Sequence, residues 1–311
     1  MLNFIAALFP VVIAVAIGWF LAHRKIVPPE AMRPIEVLTY NLFFPAMIVS
    51  TLARAEFASA PWALVVTLIG AQFALGALGL LARAASRDGT PDPAAKGSII
   101  QSNVRWNAFV ALAIVSPLMG DRGVAILAIA AAALIPTANL LSLLAFARYS
   151  DRPKVMHAKA LCLGMVKNPL VISCVIGGIL GQANFPEGNV LDRTLGIFGA
   201  ASIPLGLLAV GAGIDLSFLR QSGFRTIFWS VFRLVTMPLV ALAAGIVLAL
   251  PPMQITIAVI ATSTPTAPSG YILARQLGGN GTLSANLIAL QSLLSVFTMP
   301  LMFALVMAAV N

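Results

Sequence analysis

The chain has 311 residues, of which 60% are hydrophobic and only 9% are charged, and its mean hydropathy is +0.98. Soluble domains carry about 25% charged residues, so this composition excludes a soluble domain, a disordered chain and a secreted disulfide scaffold. The net charge of +9 does not indicate nucleic-acid binding, because no basic patch is interleaved with exposed aromatic residues.

Ten apolar stretches, each long enough to cross a membrane as a helix, follow one another along the chain. They lie at residues 3–22, 34–53, 61–82, 97–117, 123–147, 161–182, 194–214, 225–249, 254–275 and 283–309. Basic residues follow the first stretch and none precedes it, which is the opposite of a signal peptide. The sequence therefore predicts a multi-pass membrane protein with a retained first helix.

The basic residues of the loops predict the orientation of these helices. With the N-terminus outside, thirteen Lys and Arg residues fall in cytoplasmic loops and three, Arg54, Arg122 and Arg193, fall in outside loops. Cytoplasmic loops of membrane proteins accumulate Lys and Arg. We therefore expect both termini outside and the Arg148–Lys159 loop in the cytoplasm.

An internal repeat appears when the sequence is shifted by 159 residues and compared with itself. Six of the twelve residues from 10 to 21 are then identical, and Pro45 falls on Pro204 and Ala108 on Ala267. Each copy holds five helices, an odd number, so the second copy must enter the membrane upside down. The predicted fold is all-α, with ten transmembrane helices in two inverted five-helix repeats, residues 1–150 and 160–311, which form one integrated membrane domain.

Helices 4 and 9 occupy matching places in the two repeats, and polar or helix-breaking residues interrupt both. Helix 4 contains the run Gln101 to Asn107, and helix 9 contains the run Thr262 to Gly270. Backbone groups freed at membrane depth must line a cavity or be buried in protein. Paired breaks of this kind point to the binding site of a transporter, and kinked packing helices without a ligand are the alternative.

Arg105 is the cation that the span assignment leaves deep in the membrane, whereas Lys167 and Arg233 lie near enough to inner ends to snorkel. No Asp or Glu lies in mid-span, and a guanidinium can hold a carboxylate through two hydrogen bonds. The predicted substrate is therefore a small organic anion, and a structural role for Arg105 on backbone carbonyls is the alternative. The candidate substrate-binding residues are Arg105, Asn107, Asn139, Thr264, Pro265, Thr266, Ser269 and Ser295.

Enzymatic chemistry finds no support in the sequence. Both histidines lie in or beside loops, no Cys, His and carboxylate cluster has metal-ligand spacing, and no P-loop is present. We expect no catalytic residue, no cofactor, no metal and no nucleic-acid partner.

Several motifs, in their order and spacing along the whole chain, resemble the auxin efflux carrier family in its compact bacterial form. The motifs are Pro10-Val11-Val12, Asn41-Leu42-Phe43-Phe44-Pro45, Arg105-Trp106-Asn107, Lys167-Asn168-Pro169, Ile203-Pro204-Leu205-Gly206, Thr264-Pro265-Thr266-Ala267 and Gly278-Gly279-Asn280. The resemblance implies a carrier in the bacterial inner membrane, in contact with membrane lipids. It implies crossing broken helices 4 and 9, a scaffold part that forms a homodimer, and a transport part that moves like an elevator. The substrates of relatives are small carboxylates: auxin, malate and malonate.

Two alternatives to this function stay open at the level of sequence. One is a sodium-coupled carrier of the bile-acid symporter type, for which Asn107, Asn139 and Gln291 offer some ligand oxygens but no acid lies at mid-span. The other is a membrane-embedded sensor that binds a ligand without moving it.

Overall fold

The computed structural model describes residues 2–54, 61–82, 92–150, 167–183, 185–217 and 223–310, and all regular structure in these ranges is helical. This confirms the predicted all-α class. The α-helices are α1 Leu2–His23, α2 Pro29–Leu38, α3 Phe44–Ala53, α4 Trp62–Leu80, α5 Pro93–Val104, α6 Ala108–Arg148, α7 Pro169–Gln182, α8 Val190–Ala212, α9 Phe224–Val247, α10 Pro252–Ser263, α11 Ser269–Gln276 and α12 Gly281–Val310. A π-helical turn, Thr39–Phe43, joins α2 to α3.

Seven helical stretches within the described residues are long and apolar enough to cross a membrane. They are Leu2–His23, Ala31–Ala53, Trp62–Leu80, Pro93–Arg148, Val190–Ala212, Phe224–Val247 and Gly281–Val310. The shorter apolar helices α7 and α10 come in addition. The chain is therefore a multi-pass membrane protein. The first residues of predicted helix 6, and residues 151–159 of the predicted cytoplasmic loop, lie outside the described ranges.

Gly120 interrupts the long α6. Its φ of 60° and ψ of −160° lie outside the helical region, in a conformation that glycine adopts without steric cost. The kink falls between predicted helices 4 and 5, so each side of α6 corresponds to a separate predicted span.

The chain divides into two compact units, and each unit contains segments from both halves of the sequence. Unit 1 comprises Met1–Val65, Ala108–Ala133 and Cys162–Gly213, and unit 2 comprises Val66–Asn107, Leu134–Leu161 and Ile214–Asn311. The predicted boundary between the repeats falls outside the described residues and stays a prediction.

Unit 1 is held together by close packing of small residues. Helix α1 packs against α8, and α3 packs against α7 and α8. A side chain on Gly18 would meet the Leu208 backbone, and one on Gly211 would meet the Val15 carbonyl. Glycines let backbones approach closely where lipid gives no hydrophobic drive for association. The glycines at positions 18 and 211 therefore permit the close approach of α1 and α8.

An ion pair ties α3 to α8 within unit 1. Arg54, directly after α3, donates through Nη2 to Oδ1 of Asp192 at 2.6 Å, and the Gly188 N–H donates to Oδ2 at 2.8 Å. The hydrogen bond to Asp192 raises the pKa of the Arg54 guanidinium above its ordinary value. Asp192 is buried, so its charge depends on these two donors.

Unit 2 is built around α12. Helices α9, α10 and α11 each pack against α12, and α5 contacts α9, α11 and α12. Buried apolar residues of α5, α9 and α12, together with Ala82 just after α4, form one cluster. Its members are Ala82, Ala95, Ile99, Trp229, Leu283 and Leu287. This cluster fixes the position of α5, and α10 packs against α9 and α12. The ends of α5 and α10 form the candidate site.

Helices α5 and α10 match closely. Each has twelve residues and starts with proline, and the 159-residue shift places Pro93 on Pro252 and Val104 on Ser263. The residue after each helix, Arg105 or Thr264, has a ψ of 151°. Both segments therefore leave the helical conformation at the same place in the sequence repeat.

Candidate functional site

Two helix breaks within unit 2 form the candidate site. Residues 105–107 follow α5 and residues 264–268 follow α10, all without α-helical structure. In the second break Pro265 has no N–H to donate and disfavours the helical conformation of Thr264 before it. The first break has no proline, so its geometry depends on the partners that other segments supply.

Hydrogen bonds join the two breaks to each other. The Asn107 N–H donates to Oγ1 of Thr264 at 3.1 Å, and the Thr266 hydroxyl donates to the Ser102 carbonyl at 2.7 Å. All four residues are buried. Side chains of one break thus bind backbone groups of the other segment, as buried backbone groups without helical partners require.

A glutamine of α12 completes this contact. Gln291 is fully buried, its Oε1 accepts from the Thr266 N–H at 3.0 Å, and its Nε2 donates to Oγ of Ser102 at 2.8 Å. Gln101 donates in the same way to the Gly270 carbonyl at 2.9 Å. These bonds connect α5, α11 and α12, and they were not among the sequence predictions.

The Arg105 guanidinium is oriented by two neutral acceptors. Its Nη1 donates to Oδ1 of Asn139 at 2.8 Å, and its Nη2 donates to Oγ of Ser269 at 2.9 Å. All three side chains are half-buried. The structure thus brings together three predicted site residues from α6, the first break and the start of α11.

Arg233 of α9 corrects a prediction. We expected its side chain to snorkel to an interface, but it is fully buried. Its Nη1 donates to the Thr262 carbonyl at 2.7 Å and its Nη2 to the Arg105 carbonyl at 2.8 Å. The Thr262 carbonyl belongs to the negative end of the α10 dipole, and the Arg105 carbonyl lies just after the C-terminal end of α5, so both favour the cation at this point.

The remaining predicted residues divide into two groups. Thr264, Pro265 and Thr266 are buried in the contact between the breaks, together with the Asn107 side chain. Ser295 instead donates to the Ser292 carbonyl of its own helix at 2.8 Å, and no described hydrogen bond connects it to the breaks. That bond is the usual one for a serine in a membrane helix.

Asn103, in the last turn of α5, is a further polar residue that the sequence predictions missed. Its side chain is fully buried, next to the position of Gly79, and neither amide atom has a hydrogen-bond partner among the described residues. The polar run from 101 to 107 carried the sequence signal for it.

Among the described residues no group of three or more His, Cys, Asp and Glu residues has an arrangement fit for a metal ion.

Comparisons with known proteins identify the family of the chain. A family model described as "Membrane transport protein" matches residues 3–303. The chain is 25% identical over 311 residues to "Uncharacterized transporter YfdV" of Escherichia coli strain K12, with 96% of each chain covered, and the same values hold for YfdV of Shigella flexneri.

An archaeal protein is also similar over a shorter region. The "Uncharacterized transporter" of Methanothermobacter thermautotrophicus is 27% identical over 133 residues, which are 43% of this chain and 44% of that protein. The match therefore spans less than half of the archaeal relative. With the family match over nearly the whole length, the chain belongs to the Membrane transport protein family, the family of the auxin efflux carriers.

Proposed function

We propose that the chain is a secondary active transporter of a small organic anion, namely a mono- or dicarboxylate, and that it works by elevator-type alternating access. The observation that carries the proposal is the half-buried Arg105 guanidinium at the helix break, oriented by Asn139 and Ser269. Family membership supports a carrier rather than an enzyme.

The choice of an anion rests on the donors at the breaks. The Arg105 guanidinium donates to Asn139 and Ser269, which orient it and are both neutral acceptors. A planar guanidinium can hold a carboxylate through two parallel hydrogen bonds. Helix α11 also begins at Ser269, and a helix N-terminus favours negative charge.

Alternating access is supported by the sequence repeat and by the make-up of the two units. The 159-residue shift superposes the bounds of α5 on those of α10, as two five-helix repeats would require. An elevator needs a transport part that carries its site as a whole, and every hydrogen bond described between the breaks lies within unit 2. In this proposal unit 2 is the transport part and unit 1 the scaffold, with ten spans in two inverted repeats.

The placement in the cell follows from the same proposal. The thirteen-to-three distribution of loop cations supports an inner-membrane orientation with both termini outside. The scaffold of the proposed elevator is also the surface through which two copies would form a homodimer.

Counterflow of a radiolabelled carboxylate in proteoliposomes tests this function. Vesicles are loaded with unlabelled malonate, malate or an auxin, and uptake of the same labelled compound is followed with and without Na⁺ and pH gradients. We expect counterflow of at least one of these anions. It should be lost in Arg105→Ala and retained in Arg275→Ala, which removes an exposed arginine of α11.

The alternatives give different results in the same assay. A symporter of the bile-acid type would show accumulation only with an inward Na⁺ gradient. A sensor would bind the labelled anion without counterflow. Absence of both binding and counterflow for all three anions would contradict the carboxylate assignment.

A further inference from the structure

Arg233 is the largest fully buried side chain of the described residues, and it lies at the ends of both interrupted helices. Its two terminal nitrogens donate to the carbonyls of Thr262 and Arg105. No carboxylate forms an ion pair with it in the described part of the chain. A buried charge without a counter-ion is costly, so the surroundings of Arg233 must stabilise a cation strongly.

The two carbonyls supply this stabilisation. Thr262 lies in the last turn of α10, so its carbonyl belongs to the negative end of that helix dipole. The Arg105 carbonyl directly follows α5 and therefore lies beside the negative end of α5. Both helices therefore direct partial negative charge at one point, and the guanidinium occupies that point with donor distances of 2.7 and 2.8 Å.

The same kind of oxygen cluster can hold a metal cation. In carriers built from repeats, unwound backbone carbonyls and the C-terminal ends of half-helices coordinate the coupling Na⁺. Here the carbonyls of Thr262 and Arg105 accept from a covalently attached cation instead. Sodium could use these oxygens only by displacing the guanidinium from its buried position.

We propose that Arg233 is a tethered cation that takes the place of a coupling Na⁺ at the helix breaks, so that the carrier works without sodium. This inference rests on the proposed transport function. It deepens that function because it names the cation, the Arg233 guanidinium, that occupies the place of a sodium ion and so removes the coupling to a sodium gradient. Arg233 is a positioning residue, since it binds the backbone of the breaks through its own side chain.

Thermal unfolding of the purified protein with Na⁺ as the probe tests the proposal. Wild type, Arg233→Lys, Arg233→Ala and the exposed-site control Arg275→Ala are titrated with NaCl against choline chloride at constant ionic strength. Wild type, Arg233→Lys and Arg275→Ala should show no Na⁺-specific change. Arg233→Ala should melt at a lower temperature in choline and recover by roughly 2 °C or more, saturably, in Na⁺.

Each result decides the proposal. A saturable Na⁺-specific rise in the melting temperature of wild type would overturn it. A folded Arg233→Ala whose melting temperature does not respond specifically to Na⁺ would also overturn it, whether or not the variant is less stable than wild type. If Arg233→Ala yields no folded protein, the same titration of Arg233→Gln replaces it, with the same expected gain of Na⁺ response. The assay contains no organic anion, so a wrong substrate class would leave its outcome unchanged.

Discussion

Nη1 of Arg105 donates a 2.8 Å hydrogen bond to Oδ1 of Asn139. The two residues are 34 positions apart in the sequence, and the bond joins the first helix break to the second part of α6. Because the acceptor is a neutral amide, the bond fixes the direction of the guanidinium and brings no negative charge to it. Substitutions of Arg105 and of Asn139 therefore test the donor and the acceptor of this bond separately.

Replacing Arg105 tests the substrate's charge. Arg105→Ala removes the guanidinium and should weaken malonate binding about 100-fold, because hydrogen bonds to charged groups contribute about 1.5–3 kcal/mol each. Arg105→Lys keeps the charge but loses the two-pronged geometry, so it should weaken binding by a smaller factor. Calorimetric titration of purified protein measures both affinities.

The control for Arg105 is the melting temperature of each variant in the absence of ligand. A variant that melts like wild type but binds poorly has lost a ligand contact. If Arg105→Ala folds normally and binds malonate as tightly as wild type, the guanidinium is structural.

Replacing Asn139 changes the other end of the bond. Asn139→Asp is nearly isosteric and gives Arg105 a permanent carboxylate at the same 2.8 Å position. The new ion pair should compete with an anionic substrate, so we expect malonate binding to fall at least about tenfold while the melting temperature is unchanged or higher. Asn3→Asp, at an exposed position of α1, controls for the added negative charge. Unchanged malonate affinity in Asn139→Asp would place the substrate away from Arg105.

The sequence was informative about the breaks because polar and helix-breaking residues are conspicuous inside apolar spans. It singled out Arg105, Asn139 and Ser269, which the structure joins by hydrogen bonds. The partners of a long side chain that reaches from its helix to other segments were much harder to predict. The position of Arg233 along α9 does not reveal whether its guanidinium turns toward lipid headgroups or toward the carbonyls of distant residues.

Gln291 and Ser295 illustrate the same limit on one helix. Both are polar residues of α12 in an apolar context, four positions apart. Gln291 binds Thr266 and Ser102, whereas Ser295 binds its own helix. A hydroxyl can form its hydrogen bond with the backbone of its own helix, but a buried side-chain amide needs partners from other segments. The chemistry of the two side chains therefore favoured Gln291 over Ser295 as a residue that contacts the breaks, and the sequence prediction chose Ser295.

Pro265 offers a test of the second break. Pro265→Ala restores a backbone donor and removes the restriction on Thr264, which favours a continuous helix through the break. We expect counterflow to fall by at least about tenfold, while the melting temperature changes little, because the transport site is lost but the packing of α10 is kept. A packing kink without function predicts the reverse, a lower melting temperature with normal counterflow per folded molecule.

The proposed orientation is tested by cysteine labelling in intact cells. Glu187 and Gln276 are exposed and lie in predicted outside and cytoplasmic loops respectively. In a background in which Cys162 and Cys174 are replaced by Ala, Glu187→Cys should react with a membrane-impermeant maleimide and Gln276→Cys should react only after permeabilisation. The opposite pattern would reverse the orientation. Neither substitution changes the number of Lys and Arg residues in the loops, on which the predicted orientation depends.

Two adjacent glycines of α7 provide a matched test of packing in unit 1. A Cβ on Gly177 would lie 2.8 Å from Cβ of Leu52 and 3.1 Å from Cα of Val49, whereas a Cβ on Gly178 would meet nothing within 4 Å. Such overpacking costs about 1–3 kcal/mol because the α3 backbone must move. Gly177→Ala should therefore lower the melting temperature, and Gly178→Ala should leave it unchanged or raise it, since alanine favours helix by up to about 1 kcal/mol over glycine. Equal melting temperatures for the two variants would show that α7 does not pack on α3 at this distance.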